Sequence, residues 1–175
     1  MPVNLELKAK CRSLSRAKRI CREIGARRAG LLRQRDTYYD VRSGRLKLRE
    51  INRKSFELIY YLRGNEKGSR YSKYYVLPLR ERRVVNRLLE SACGVRAVVR
   101  KKRELYLFEN SRIHLDVVDG LGSFIEFEVL VTKGKRQAQV LMAFLRKRFE
   151  IDLSDVFAGS YSDLRGQGQG RWYKS

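Results

Sequence analysis

Polar and apolar residues alternate over most of this chain, and this alternation predicts a protein built mainly of β-strands. The first example runs from residue 3 to residue 12, where apolar side chains face one way and polar ones face the other, namely Asn4, Glu6, Lys8 and Lys10. A period of two residues is typical of a strand with one apolar face. The opposite, charged face of this strand is a candidate binding surface.

Eight segments carry strand patterns and three carry helical ones. We predict strands over residues 3–12, 31–40, 45–51, 55–63, 70–79, 95–108, 112–118 and 123–131. We predict helices over residues 15–25, 79–92 and 135–149, the first capped by Ser13 or Ser15. In the third helix, the side chains expected to face inward are Val140, Leu141, Phe144 and Leu145.

These elements predict one domain of the α+β class over residues 1–165, followed by a flexible tail rich in Gly and Gln over residues 166–175. Most strand connections are short, so the sheet is expected to be largely antiparallel. A sheet of about eight strands either stays open, with its charges facing water, or closes into a barrel with its charges inside. The alternation alone does not distinguish these two arrangements, because one strand face is polar in both.

The charge of the chain narrows the class of ligand. The sequence has 40 basic and 19 acidic residues, a net charge of +21, which attracts nucleic acid, acidic membrane surfaces or polyphosphorylated small molecules. No apolar run approaches the roughly 20 residues of a membrane helix. The N-terminus lacks the apolar stretch of a signal peptide, so we expect a soluble cytoplasmic protein.

Charged side chains at two-residue spacing are the candidate site residues. If the strands are neighbours, carboxylates converge that would suit a hard divalent cation: Glu6, Asp116, Glu126 and Glu128. Similar faces carry cations that would orient phosphoryl oxygens: Lys8, Lys47, Arg49, Lys101 and Arg103. Together they predict a site for a metal and a polyphosphate. The alternative is a set of cross-strand ion pairs on an exposed sheet.

Other candidate groups have simpler explanations. The lone His114 is more often a packed polar residue than a metal ligand. The tyrosines on the predicted strands could stack a nucleobase, but they are more often packing residues; they are Tyr38, Tyr39, Tyr60, Tyr61, Tyr74 and Tyr75. The chain has no phosphate-binding loop of the G-x-x-x-x-G-K-[ST] type, no G-x-G-x-x-G after a strand and no serine elbow.

Short motifs spread over residues 3–164 resemble those of the CYTH, or triphosphate tunnel metalloenzyme, family. The opening segment NLELK at residues 4–8 is similar to the E-x-E-x-K signature of that family. It is followed in the family's order by DTYYD at 36–40, GRLKLR at 44–49, KKRELY at 101–106, HLD at 114–116, GLG at 120–122, EFE at 126–128 and GSYSDL at 159–164. Each motif is weak alone, and their common order is what makes the resemblance specific.

The resemblance implies an eight-stranded antiparallel closed β-barrel, a tunnel that binds triphosphate with Mg²⁺ or Mn²⁺. By match, the metal ligands would be Glu6, Asp116, Glu126 and Glu128, and Lys8 would share in catalysis. The phosphate-binding residues would be Lys8, Lys47, Arg49, Arg63, Lys101 and Arg103. The segment LIYYLR at residues 58–63 most resembles the branch described as class IV adenylate cyclase.

Three functions follow from these observations. The first is conversion of ATP to cyclic AMP and pyrophosphate, and the second is hydrolysis of an inorganic or organic triphosphate such as tripolyphosphate or thiamine triphosphate. The third is non-catalytic binding of polyphosphate or RNA, because the tunnel motifs use only a few of the cations. Asn4 stands where the family's first glutamate is expected, which leaves open whether one metal or two bind. The oligomeric state is also left open, a dimer included.

Overall fold

The structure is a computed structural model and describes residues 2–63, 68–157 and 159–168. Its strands are β1 (Val3–Lys10), β2 (Arg27–Tyr39), β3 (Arg45–Ile51), β4 (Ser55–Arg63), β5 (Arg70–Leu79), β6 (Val95–Phe108), β7 (Ser111–Val118) and β8 (Gly122–Leu130). Its helices are α1 (Leu14–Glu23), α2 (Arg82–Cys93), α3 (Lys135–Arg148) and α4 (Tyr161–Gly168). Every predicted strand and helix is therefore present, with ends that differ by a few residues.

The strands close into one antiparallel barrel in the order β1-β5-β4-β3-β2-β6-β7-β8, with β8 pairing back onto β1. This confirms the α+β class and the closed eight-stranded barrel. The strand β1 closes the ring because it pairs with β5 on one edge and β8 on the other. Closure removes the free sheet edges and gives each strand an inner and an outer face.

The main hydrophobic core lies outside the barrel, between its wall and two helices. The apolar faces of β1, β7 and β8 pack against α1 and α3, and the core includes Leu7, Ile113, Phe127 and Leu145, each with no exposed surface. Because successive side chains of a strand point to opposite faces, burying this apolar side outward directs the polar side into the barrel. The packing of the helices thus sets the direction of the charged residues.

Helix α1 begins where the sequence predicts. The Ser13 side chain accepts a hydrogen bond from the backbone N–H of Arg16 at 3.2 Å, so Ser13 is the N-cap.

None of the described helices is long and apolar enough to cross a membrane.

The inward face of α3 differs from the prediction. Leu141 and Leu145 are buried as expected, but Val140 is 65% exposed and Phe144 is 40% exposed. The buried stripe instead joins Ala138, Leu141, Met142 and Leu145. These positions follow the i, i+3, i+4, i+7 spacing of one helix face, whereas Val140 lies off it.

Helix α4 was not predicted, although the sequence contains a signal for it. Its eight residues include two glycines and lack a clear apolar period. Ser160 and Asp163 form a capping box in which the Asp163 side chain accepts from the backbone N–H of Ser160 at 2.7 Å. The helix extends to Gly168, so it includes the first residues of the segment predicted as a tail; the rest of that segment lies outside the described residues.

We expect Leu145→Ala to lower the free energy of unfolding by about 2–5 kcal/mol, because it opens a cavity between α3 and the barrel wall. Urea unfolding followed by circular dichroism measures the change. Val140→Ala, one and a half turns away on the same helix, is the matched control and should change it by less than about 0.5 kcal/mol. Equal losses in both variants would contradict the observed face of α3.

Candidate functional site

The inner faces of the barrel strands enclose a cavity of about 310 Å³ to which all eight strands contribute. Its surface is mainly ionic. The cations that line it are Lys8, Lys47, Arg49, Lys101, Arg103 and Arg112, and the carboxylates are Glu6, Glu57, Glu126 and Glu128. The charged strand faces therefore point into a shared interior rather than to solvent, which decides between the two arrangements that the sequence left open.

Eight of the ten predicted site residues line this one cavity: Glu6, Lys8, Lys47, Arg49, Lys101, Arg103, Glu126 and Glu128. Asp116 is inside the barrel but not at the cavity surface, with no exposed area. The side chain of Arg63 lies outside the described part of the chain. The roles in metal and phosphate binding assigned to these residues remain predictions.

Asp36 anchors three of the cavity cations. Its carboxylate receives two hydrogen bonds from Arg49, at 2.8 and 2.9 Å, and lies 3.3 Å from the Lys47 ammonium and 3.4 Å from that of Lys101. Burial alone would raise the pKa of Asp36, but these cations outweigh it and hold the pKa well below its usual value. The carboxylate is therefore ionised and fixes the cations around it.

Asp116 is a second anchor, opposite Arg103 in the β6–β7 register. Arg103 donates to both Asp116 oxygens, at 2.7 and 2.6 Å, and Tyr161 donates its hydroxyl to Oδ2 at 2.8 Å. Burial opposes ionisation, but Arg103 lowers the pKa of Asp116 to about 2. Both oxygens of Asp116 are thus already occupied by hydrogen-bond donors.

Glu126 lies at the centre of the carboxylate side of the cavity. Its Oε1 is 3.1 Å from the Lys8 ammonium, and its Oε2 is 2.7 Å from Arg103 and 3.5 Å from Nδ1 of His114. Burial would raise the pKa of Glu126, yet Lys8, His114 and Arg103 keep it well below its usual value. Glu126 is therefore a buried anion that connects the cations Lys8 and Arg103 with the carboxylate side of the tunnel.

His114 joins Glu126 and Glu128 in a group whose donor atoms lie within 4.8 Å of one another. Nδ1 of His114 is 3.8 Å from Oε1 of Glu128, whose other oxygen is 3.0 Å from Nε of Arg112. Burial lowers the pKa of His114, and Arg103 lowers it further, so the imidazole is neutral at pH 7 and has a lone pair available. Among the described residues, this is the one such group with metal-binding geometry.

Asn4 extends the carboxylate side toward the start of β1. It lines the cavity, is only 3% exposed, and its Oδ1 has no hydrogen-bond partner among the described residues. A buried amide oxygen left without a donor is costly. Glu6, two residues further along the same strand face, is opposite Glu128 in the β1–β8 register. The unpaired oxygen of Asn4 is thus a candidate for a cation at this side of the cavity.

Tyr161 brings α4 into the site, a role that the sequence did not indicate. Its ring is 4.0 Å from the Lys8 ammonium and 5.2 Å from that of Lys101, and its side chain lines the cavity. Cations over aromatic faces are stabilised when desolvated. The helix itself is held to β3 and β6 through Asp163, which is 2.9 Å from Arg45 and 3.3 Å from Arg96.

The six tyrosines proposed for packing or base stacking divide between the two faces of the barrel. Tyr38, Tyr61 and Tyr74 line the cavity, with Ile59 and Val76 beside them. The others point away: Tyr39 donates to Asn86 of α2, Tyr60 donates to the carbonyl of Ser43, and Tyr75 is 59% exposed. The cavity therefore has one aromatic and apolar side in addition to its ionic sides.

A closed antiparallel barrel whose interior carries anchored cations and a carboxylate group defines a tunnel protein for anionic ligands. The family model described as CYTH domain matches residues 3–157, so the chain belongs to the CYTH family. Members of this family are generally metal-dependent enzymes that act on triphosphates. No curated protein matches the chain significantly in sequence.

Solved structures share the fold. The PH1012 protein from Pyrococcus horikoshii is 22% identical, with a TM-score of 0.83 over 92% of this chain and 98% of its own. A protein from Vibrio parahaemolyticus described as a putative adenylate cyclase is 21% identical, with a TM-score of 0.74 over 93% and 97%. HpAC1 from Hippeastrum, described as having a dominant triphosphatase activity, is 13% identical, with a TM-score of 0.63 over 96% of each chain.

The pH dependence of anion binding should report the buried lysines. Burial, followed by repulsion from Arg103, lowers the pKa of Lys101 to about 7, and burial lowers that of Lys47 to about 8. A lysine with a lowered pKa is charged below that value and neutral above it, so affinity for metal-free tripolyphosphate should fall as the pH rises through these values.

Isothermal titration calorimetry between about pH 6 and 9 measures this fall. Lys101→Arg is the matched control, since an arginine remains charged over the whole range and experiences the same change in ligand ionisation. We expect a shallower decline in affinity for this variant. Parallel curves for the two proteins would contradict the role of Lys101.

Proposed function

We propose that this protein is a metal-dependent enzyme that processes a small triphosphate inside the tunnel. The observation that carries the proposal is that six cations line one cavity together with Glu126 and Glu128, and that these two carboxylates form a metal-binding group with the buried His114. Lys and Arg neutralise and orient phosphoryl oxygens, while a divalent ion between carboxylates and phosphate offsets the charge that develops as a P–O bond breaks. Both halves of this chemistry are within reach of a single ligand.

The donor atoms fit a divalent ion. Glu126 and Glu128 supply the oxygens that Mg²⁺ and Mn²⁺ prefer, and the unpaired Oδ1 of Asn4 offers another. His114 adds an imidazole nitrogen, a ligand that Mn²⁺ accepts more readily than Mg²⁺. We propose these residues as the metal-holding set, with Glu6 beside them. Asp116 was expected to belong to it, but we assign it to holding Arg103, because its side chain has no exposed area and does not reach the cavity surface.

Phosphate binding is assigned to the cations on the remaining sides of the tunnel. Lys47, Arg49 and Lys101 share the Asp36 anchor, so their side chains are held before the ligand arrives. Lys8 and Arg103 contact Glu126, one of the proposed metal-holding residues. They lie between those residues and the three cations that Asp36 anchors. Such pre-organised charges cost little reorganisation during the reaction. Arg63 remains a further candidate from the family resemblance alone.

The first candidate reaction is that of a class IV adenylate cyclase. The ribose 3′-oxygen of ATP attacks the α-phosphorus, and the hydroxyl gives up its proton. The bond between the α-phosphorus and the oxygen that bridges to the β-phosphorus breaks, and pyrophosphate leaves. The aromatic and apolar side of the cavity, formed by Tyr61, Tyr74, Ile59 and Val76, favours a ligand that carries a nucleobase.

The second candidate is triphosphate hydrolysis, in which water attacks a terminal phosphorus and its bond to the bridging oxygen breaks. The attacked phosphoryl group becomes orthophosphate, and the diphosphate remainder is the leaving group. It is supported by the Hippeastrum protein of the same fold, which is described as a putative adenylyl cyclase with a dominant triphosphatase activity. The cavity cations serve both reactions, since both act on a triphosphate and develop negative charge on its oxygens as a P–O bond breaks.

Product analysis with Mg²⁺ and with Mn²⁺ tests the proposal. ATP that yields cyclic AMP and pyrophosphate supports the cyclase, and orthophosphate from tripolyphosphate or thiamine triphosphate supports the hydrolase. The variant Glu126→Ala with Glu128→Ala should lose at least about 100-fold in turnover, together with its metal dependence, while remaining folded. Glu23→Ala, an exposed carboxylate on α1, is the control and should retain activity. Lack of turnover of every triphosphate by the wild-type protein would refute both reactions.

His114 should determine metal preference. We expect His114→Gln, which keeps a buried polar side chain, to weaken Mn²⁺ binding by about 10-fold and Mg²⁺ binding much less, because only the imidazole nitrogen is lost. Electron paramagnetic resonance of Mn²⁺ titrated into the protein gives its affinity, and competition with Mg²⁺ gives the second affinity. Equal weakening of both metals, or none, would remove His114 from the metal-holding set.

A further inference from the structure

The outer face of the barrel carries a second concentration of cations, and the cavity there shares one lining residue, Lys101, with the tunnel. It lies on β2 and β6, beside the β3–β4 turn and α2, and encloses a cavity of about 700 Å³. We call it the basic groove and define it by Arg33, Arg35, Arg53, Arg82, Arg100 and Lys102. Because residues on one strand alternate between faces, these side chains point away from the interior that Asp36 and Lys101 occupy.

Four of these cations are directly opposed across the β2–β6 pair. Arg33 is opposite Lys102, and Arg35 is opposite Arg100, and all four are exposed. Like charges directly opposite each other on a sheet face are destabilising. The fold therefore tolerates two adjacent repulsive pairs at one place, and an anionic ligand would relieve both.

The protein itself supplies little compensation here. Two acidic residues line the groove, Glu50 and Asp119, and Glu50 already pairs with Arg82. None of the four opposed cations forms an ion pair with another described residue. The surface around α1 is different, since Glu104 there lies 2.7 Å from Arg28 and 2.6 Å from Lys18. The four opposed cations thus differ from the cations around Glu104, which have a carboxylate partner.

The cations continue beyond the groove along α2. A second cavity of about 380 Å³ adjoins it through Arg35 and Arg82, and is also lined by Arg83 and Arg87 of that helix. Successive outward positions on a strand are about 6.6 Å apart, so the arrangement repeats at a spacing that suits a chain of charges better than one small anion. The ligand would therefore be an extended polyanion.

Seven of the nine cations along these two cavities are arginines, whose planar guanidinium groups bind phosphate through paired hydrogen bonds. No aromatic side chain lines either cavity among the described residues, so bases have no stacking surface. We propose that the basic groove binds the phosphodiester backbone of a nucleic acid without regard to its sequence. This site is independent of the triphosphate reaction assigned to the tunnel.

Fluorescence anisotropy with labelled single-stranded RNA and DNA of about 20 nucleotides tests the proposal. The groove variant combines Arg33→Gln, Arg35→Gln, Arg100→Gln and Lys102→Gln. We expect it to lose at least about 10-fold in affinity and to show a salt dependence of log K shallower by about 2.8, which is about 0.7 for each of four phosphate contacts. Circular dichroism confirms its fold, and Arg35→Gln with Arg100→Gln repeats the test with fewer changes.

The matched control removes the same charge elsewhere, at Lys133, Arg136, Arg146 and Lys147, all exposed on or beside α3. With these four changed to Gln, affinity should fall less than about threefold. Equal losses in both variants would reduce the binding to overall charge and overturn the proposal, as would unchanged affinity in the groove variant.

Two further measurements separate the groove from other sites and ligands. Saturating tripolyphosphate should fill the tunnel without displacing the oligonucleotide, and displacement would place the binding in the tunnel and overturn the proposal. Triphosphate turnover, where present, should be the same in the groove variant and in the wild type. Tighter binding of long-chain inorganic polyphosphate than of nucleic acid, at equal phosphate concentration, would overturn the nucleic-acid assignment.

Discussion

The interior of this barrel depends on buried carboxylates that neutralise cations where water is scarce. Removing a charged group from water is costly unless a partner and hydrogen bonds compensate it. Asp36 compensates the charge of Lys47, Arg49 and Lys101, and Asp116 compensates that of Arg103. Both aspartates are without exposed surface. Without these two anchors, Lys47, Arg49 and Lys101 would lose the carboxylate they share, and Arg103 would keep only Glu126.

The two anchors do not fully offset the effect of burial on the pKa of the tunnel lysines. The pKa of Lys101 still falls to about 7, because burial and the neighbouring Arg103 outweigh the attraction of Asp36. The Lys101 ammonium therefore loses its proton more readily than that of an exposed lysine, and an anion beside it would favour the charged form. A site of this kind is pre-organised, because the fold holds its cations in place before any ligand binds.

The strands β2 and β6 show the same residue types used in two ways. On the inner face of the barrel, each cation has a buried carboxylate within hydrogen-bonding or ion-pairing distance, so the fold tolerates the burial of that cation. Outside, Arg33, Arg35, Arg100 and Lys102 oppose one another in solvent without such partners. Water screens the outer charges and weakens their repulsion. The four side chains therefore remain available to a large external ligand. The cations of these two strands therefore lie on two faces that differ in how far carboxylates compensate them.

The sequence alone determined the strands, three of the four helices and the residue types on each charged face, because a two-residue or 3.6-residue period depends only on local backbone geometry. Eight of ten predicted site residues consequently share the cavity. The periodicity left closure of the barrel open, although the family resemblance implied it, and the tertiary structure confirmed it. Only the tertiary structure showed that Asp36 and Asp116 are anchors and that Tyr161 enters the site. These outcomes depend on pairing between strands distant in sequence and on which side chain lies deepest, and neither is encoded in a local pattern.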